Sequence, residues 1–142
     1  MNILICGLGL IGASLAKTLK KNTKHTVLGW NRTPSVTEKA LRDGVIDRTG
    51  DIDELMADAD ITFVNFYPEA IVPFILEHKN SFKKDSIVTD SCGIKSKIWF
   101  NKYLPPIKST LKSAKVRTYL EKTFIYAISD IGYVFIKTIF QK

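Results

Sequence analysis

The stretch Asn2-Ile3-Leu4-Ile5-Cys6-Gly7-Leu8-Gly9-Leu10-Ile11-Gly12 decides the fold. Asn2–Cys6 is a short apolar run ending in glycine, which suits a buried strand. From Leu10 to Lys21 the apolar residues Leu10, Ile11, Leu15 and Leu19 recur at helical spacing, and Lys17, Lys20 and Lys21 put positive charge in the last turn, where the helix dipole favours it. Between strand and helix, Gly7-Leu8-Gly9-Leu10-Ile11-Gly12 matches G-x-G-x-x-G. In this context Gly7 permits a tight turn, Gly9 lets backbone approach a pyrophosphate, and Gly12 lets the helix pack close to the strand. The helix N-terminus then offers unpaired N–H groups and partial positive charge to the phosphates. The alternative is a glycine-rich turn that holds no ligand.

Outward from this motif the signals keep alternating. Thr26–Asn31 reads as a second strand. Thr33-Pro34 opens a helix with a cap and a proline at its first position, running to about Asp43, and Gly44 stops it. Val45-Ile46 reads as a short third strand and Asp51–Ala59 as a short acidic helix. Ile61–Phe66 is a strong apolar strand, and Pro68–His78 is a helix that Pro73 is expected to disturb. Ser86–Asp90 is a fifth strand, with helix again from Lys95. Strands alternating with helices of this length imply βαβ units. The expected fold class is α/β: a Rossmann-type doubly wound parallel sheet over residues 1–98, incomplete, followed by a divergent helical tail over 99–142.

The glycine pattern also calls for an acidic residue about 20 positions on, at the end of the second strand, to hold a ribose 2′-OH. Asn31 stands there, 19 residues after Gly12. An amide can bond a hydroxyl, but it does not repel a 2′-phosphate as a carboxylate would. Arg32 and Thr33 follow, and a guanidinium suits phosphate. Asn31-Arg32-Thr33 therefore tilts the expected cofactor from NAD toward NADP. The competing reading is a polar strand end that caps the next helix through Thr33.

The chain has 142 residues, enough for one domain with its own core. Hydrophobic residues at 45% and charged residues at 25% exclude global disorder. Two cysteines exclude a disulfide-rich scaffold and a four-cysteine zinc site, and no metal is expected. The N-terminus has no basic stretch before its apolar run, so a cytoplasmic location is expected. The net charge of +7 is unevenly spread: residues 1–98 carry 13 Lys and Arg against 12 Asp and Glu, and residues 99–142 carry 8 against 2. The excess belongs to the last third of the chain.

Four segments resemble the prephenate dehydrogenase family. They are Gly7-Leu8-Gly9-Leu10-Ile11-Gly12-Ala13-Ser14-Leu15-Ala16, Leu41-Arg42-Asp43-Gly44-Val45-Ile46-Asp47, Ala59-Asp60-Ile61-Thr62-Phe63-Val64 (the family's fourth strand) and Val88-Thr89-Asp90-Ser91-Cys92-Gly93-Ile94-Lys95. Their order and spacing cover residues 1–98. The resemblance implies NAD- or NADP-dependent oxidative decarboxylation of prephenate to 4-hydroxyphenylpyruvate, in tyrosine biosynthesis. By position it implies that Gly7, Gly9, Leu10, Ile11 and Gly12 contact the pyrophosphate, and that Asn31, Arg32 and Thr33 contact the adenosine ribose and any 2′-phosphate. Phe66, Tyr67 and Pro68 would line the adenine or nicotinamide-ribose side. Asp90, Cys92 and Lys95 would approach the nicotinamide and substrate. The expected partner is a small-molecule substrate, with no nucleic acid and no membrane.

The chain departs from the family in two places. Many relatives have Gly-Ser-Val-Lys where Cys92-Gly93-Ile94-Lys95 stands, so a serine is absent. Cys92 is read as a small buried residue rather than a reactive thiol, and Lys95 either attracts a substrate carboxylate or points to solvent. The family also continues into a sixth strand, a His-Pro-Met-Ala-Gly motif whose histidine polarises the substrate hydroxyl, and a helical domain that supplies the dimer interface. The chain's histidines, His25 and His78, match neither that motif nor its position and read as structural, so the catalytic residues are unknown. The expectation is cofactor binding with little turnover by this chain alone. The rivals are another small-acid dehydrogenase of the β-hydroxyacid type and a non-catalytic nucleotide-binding or interaction protein.

The text changes after Ile98. Phe, Ile, Lys, Tyr and Asn make up 22 of the 44 residues from 99 to 142, and nine of the 15 aromatics lie there. Three readings are a frameshifted or truncated gene end, a short helical domain, and a membrane segment at 123–140 that would have to bury Asp130 and Lys137. The composition favours the first.

Overall fold

The computed structural model describes residues 1–91. Cys92, Lys95, the helix expected from Lys95 and the whole 99–142 tail lie outside the described residues. The elements in order are β1 (Asn2–Cys6), α1 (Leu10–Asn22), β2 (Thr26–Trp30), α2 (Pro34–Arg42), α3 (Ile52–Asp58), β3 (Ile61–Val64), α4 (Pro68–Glu77) and β4 (Ile87–Asp90). The four strands form one parallel sheet in the order β2-β1-β3-β4. This is the expected Rossmann-like α/β fold. The chain leaves central β1 toward β2, then returns to the other side of β1 for β3. The space between β1 and β3 is therefore a topological switch point.

The winding is visible in how β1 is buried. Its side chains alternate between two cores, as a strand covered on both faces requires. Ile3 and Ile5 join Ala16, Leu19, Ala40 and Ile46 beneath α1 and α2. Leu4 and Cys6 join Leu55, Met56, Ile71, Val72 and Ile75 beneath α3 and α4. Burial pushes the Cys6 thiol pKa well up from its ordinary value, so this free cysteine behaves as a small apolar residue.

Three local expectations are corrected. Val45 and Ile46 are buried but form no strand. The Val45 and Ile46 amides both donate back to the Ala40 carbonyl at the end of α2, at 2.9 and 3.4 Å, and are spent there. The chain meets β2 only afterwards, where the Asp47 amide donates to Val27 O at 2.7 Å and the Gly29 amide donates to Arg48 O at 2.9 Å. Second, α4 runs unbroken through Pro73. The carbonyl that Pro73 cannot serve is that of Glu69, and both residues are exposed, so the missing bond falls on the solvent side of the helix. Third, Thr33 takes the N-cap position of α2 without a side-chain cap bond. By contrast the Asp51 carboxylate caps α3, accepting from the Asp53 and Glu54 amides at 2.9 and 3.2 Å.

Both histidines are read as structural. The His25 amide donates to Thr23 Oγ1 at 3.2 Å in the turn before β2. His78 ends α4, lies tilted against Phe74 with ring centroids 4.7 Å apart and places Nδ1 2.7 Å from Asp53 Oδ1, joining α4 to α3.

Asp60 ties the start of β1 to the sheet. The Lys83 ammonium donates to Oδ1 at 2.6 Å and the Asn2 amide to Oδ2 at 2.8 Å, and these two bonds, in that order, hold the carboxyl below the usual carboxylate range. A depressed folded pKa contributes stability that is complete above the unfolded value of about 3.9 and is lost as pH falls through the folded value. D60N is therefore expected to be less stable than wild type at neutral pH and to converge on it in acid. Urea melts at the two pH values check this, and an equal gap at both would contradict it.

Candidate functional site

Strand register brings the candidate residues to one level. Cys6 pairs with Trp30 and with Val64, and Val64 pairs with Asp90. The residues that follow each strand therefore meet at the carboxyl edge of the sheet. They are Gly7–Gly12 after β1, Asn31–Thr33 after β2, Asn65–Pro68 after β3, and Asp90 with Ser91 at the end of β4.

The glycine turn is built by close approach. Gly7 has φ +92°, which side-chain-bearing residues rarely adopt, and a Cβ there would lie 2.6 Å from Asn65 O and 3.0 Å from the Phe66 ring. A Cβ on Gly12 would lie 1.9 Å from Gly7 O, so the first turn of α1 rests directly on the loop. Gly9 is different. It is the N-cap of α1, and a Cβ there would meet nothing within 4 Å.

No side chain caps α1 and its first turn holds no acidic residue. The first intrahelical bond runs from the Ala13 amide to Gly9 O at 2.9 Å, so the amides before it have no partner within the helix. An open backbone at a bare, positively polarised helix end fits a pyrophosphate. Leu10 and Ile11 flank it, 92% and 60% exposed.

Around this turn, Arg32 and Thr33 are exposed and Asn31 is half-buried. No carboxylate lies among these three residues. Phe66 is half-buried in an aromatic group, 4.8 Å from Phe74 and 6.3 Å from Trp30 between ring centroids. Its ring thus supports Gly7 from below. Tyr67 is 85% exposed, and Pro68 is the first residue of α4.

Sequence reasoning missed Asn65. Its side-chain amide is buried at the switch point, with no hydrogen-bond partner among the described residues, and Nδ2 lies 3.2 Å from where a Gly12 Cβ would stand. The one available signal is a polar residue inside the expected apolar strand Ile61–Phe66, which in the structure ends at Val64.

A family model described as "Prephenate dehydrogenase, nucleotide-binding domain" matches residues 15–124. The chain belongs to this family. Among solved structures, the chain is similar to Synechocystis arogenate dehydrogenase, with 31% identity over 79% of this chain and 38% of that one, TM-score 0.68. It shares its fold with the prephenate dehydrogenase of Aquifex aeolicus solved with hydroxyphenyl propionate and NAD+, at 23% identity over 79% and 38% of the two chains, TM-score 0.66. The Mycobacterium tuberculosis 3-hydroxyisobutyrate dehydrogenase also has this fold, at 20% identity over 77% and 37%, TM-score 0.65. The chain thus spans under two-fifths of the length of these relatives. No curated protein matches it. Among the described residues no helix is long and apolar enough to cross a membrane, and no cluster of His, Cys, Asp and Glu could hold a metal ion.

Proposed function

We propose that this domain holds a nicotinamide dinucleotide, NADP in preference to NAD, for a cytoplasmic prephenate dehydrogenase of tyrosine biosynthesis. The observation that carries the reading is the open Gly9 backbone at the uncapped end of α1, at the switch point of a chain in this family. Gly7, Gly9, Leu10, Ile11 and Gly12 face the pyrophosphate. Arg32 and Thr33 take the 2′-phosphate, a role supported by their exposure and by the free Thr33 hydroxyl at the α2 cap. Phe66, Tyr67 and Pro68 flank the bound nucleotide, and Asp90, Cys92 and Lys95 lead toward the substrate. When bound, the nicotinamide supplies the hydride acceptor for oxidative decarboxylation of prephenate to 4-hydroxyphenylpyruvate. Arogenate is the second candidate substrate, favoured by the 31% identity to an arogenate dehydrogenase.

Fluorescence titration of the 142-residue chain tests the reading. NADPH is expected to bind about tenfold or more tightly than NADH, the worth of one charge-assisted contact to the 2′-phosphate. Equal affinities, or tighter NADH, would remove the NADP preference. The same protein is expected to turn over little prephenate or arogenate, and brisk turnover would show that the chain carries its own catalytic residues.

A further inference from the structure

We infer that Asn31 is a positioning residue that holds the glycine turn in place, and that it leaves discrimination between the two dinucleotides to Arg32 and Thr33. This rests on the nucleotide-binding reading above and assigns Asn31 a different task from the ribose contact that its place in the motif suggests.

The Gly7 amide donates to Trp30 O at 2.8 Å, and the next amide, Leu8 N–H, donates to Asn31 Oδ1 at 3.2 Å. Two successive amides of the turn are thus held by Trp30, the last residue of β2, and by Asn31, the residue after it. The Leu8 side chain is buried, at 7% exposure, among Ile3, Ile5 and Val27, so the turn is pinned from its apolar side as well. Gly9 follows immediately. The height at which its backbone stands before a phosphate depends on those two bonds.

The rest of the Asn31 side chain is also engaged. Nδ2 donates to Thr33 O at 3.5 Å, a long bond that spans Arg32. A carboxylate in this position could spend one oxygen on the Leu8 amide and offer the other to a ribose hydroxyl. An amide has one oxygen, and here it already accepts from the turn, so a second lone pair and a second N–H remain where a carboxylate would offer a whole free oxygen. Its second atom is a donor, and it faces the carbonyl of the segment that carries Arg32 and Thr33. Asn31 therefore links the phosphate end of the site to the 2′ end without being the group that reads the 2′ position.

The test compares N31A, N31D and R32A in the full chain, with NADPH, NADH and adenosine 2′-monophosphate as probes. The last carries the 2′-phosphate and has no pyrophosphate. For N31A, both dinucleotides are expected to weaken by a common factor of about tenfold, with their ratio and the 2′-monophosphate affinity unchanged. In the unliganded protein the Leu8 amide is expected to exchange with solvent faster in N31A, and to keep wild-type protection in N31D, which retains an acceptor. R32A is expected to collapse the NADPH-to-NADH ratio. An N31A protein whose ratio or 2′-monophosphate affinity shifts while Leu8 exchange stays at the wild-type rate would overturn the inference and leave the nucleotide reading standing. A wild-type chain that binds neither dinucleotide would overturn both.

Discussion

Replacing Gly12 with alanine is expected to damage the fold and dinucleotide binding together, whereas the same change at Gly9 should spare the fold and weaken binding alone. A Cβ on Gly12 would sit 1.9 Å from Gly7 O and 3.2 Å from Asn65 Nδ2, and the nearer of these is backbone that cannot swing away. Either α1 lifts off the sheet or the turn opens. Overpacking of this kind costs about 1–3 kcal/mol or more, a sizeable share of a stability of roughly 5–15 kcal/mol. Gly9 has ordinary extended backbone, φ −74° and ψ −163°, and open space where a methyl would go. G9A should therefore melt within about 0.5 kcal/mol of wild type. Its methyl would stand where a pyrophosphate has to approach, so NADPH affinity should fall about tenfold or more. Thermal melts and titrations on the two variants check the pair. A G9A protein that binds as wild type does would place the phosphates elsewhere.

Truncating Phe74 is expected to be the most destabilising single change in the α3 and α4 core. The ring is buried and joins three others, with centroids 4.8 Å from Phe66, 5.6 Å from Trp30 and 4.7 Å from His78. Loss of a buried phenylalanine costs about 3–5 kcal/mol through transfer and cavity terms. Aromatic pairs add about 0.5–1.5 kcal/mol each. F74A should lower the melting temperature by roughly 12 °C or more, at about 4 °C or more per kcal/mol for a domain of this size. F74L should recover part of the loss by refilling the volume. Because Phe66 also supports Gly7, F74A should weaken NADPH binding at temperatures where the protein is still folded. A melting temperature within a few degrees of wild type would mean that the neighbouring rings close the cavity.

Much of this was legible in the residues, because most elements obey local rules. Asn2–Cys6, the helix at Leu10 and the helix opened by Pro34 follow from apolar periodicity and proline placement. Val45-Ile46 departs from the expected strand because the amides that would have paired are drawn to the end of α2. Pro73 departs from expectation for the reverse reason: its missing bond falls on the wet side of α4, where it costs little. At the site, the motif spacing located Gly7, Gly9 and Gly12. The bond from Leu8 to Asn31 spans 23 residues, and the Asn65 amide reaches the turn only through strand register. Neither contact has a local signature, since both are created when β2 and β3 close around β1.

The segment beside β2 has a further effect. Among the described residues β2 is one of the two edge strands, and such strands carry rows of unsatisfied groups that invite pairing with other chains. Here the outward Val27 N–H, Val27 C=O and Gly29 N–H are occupied. The Val27 amide donates to Asp47 Oδ2 at 2.8 Å, the Val27 carbonyl accepts from the Asp47 amide, and the Gly29 amide donates to Arg48 O. Asp47 and Arg48 are themselves fixed by ion pairs with Lys20 and Asp58. A stretch too short to be a strand thus closes the sheet on this side with charged residues. Unpairing it would expose a template for aggregation.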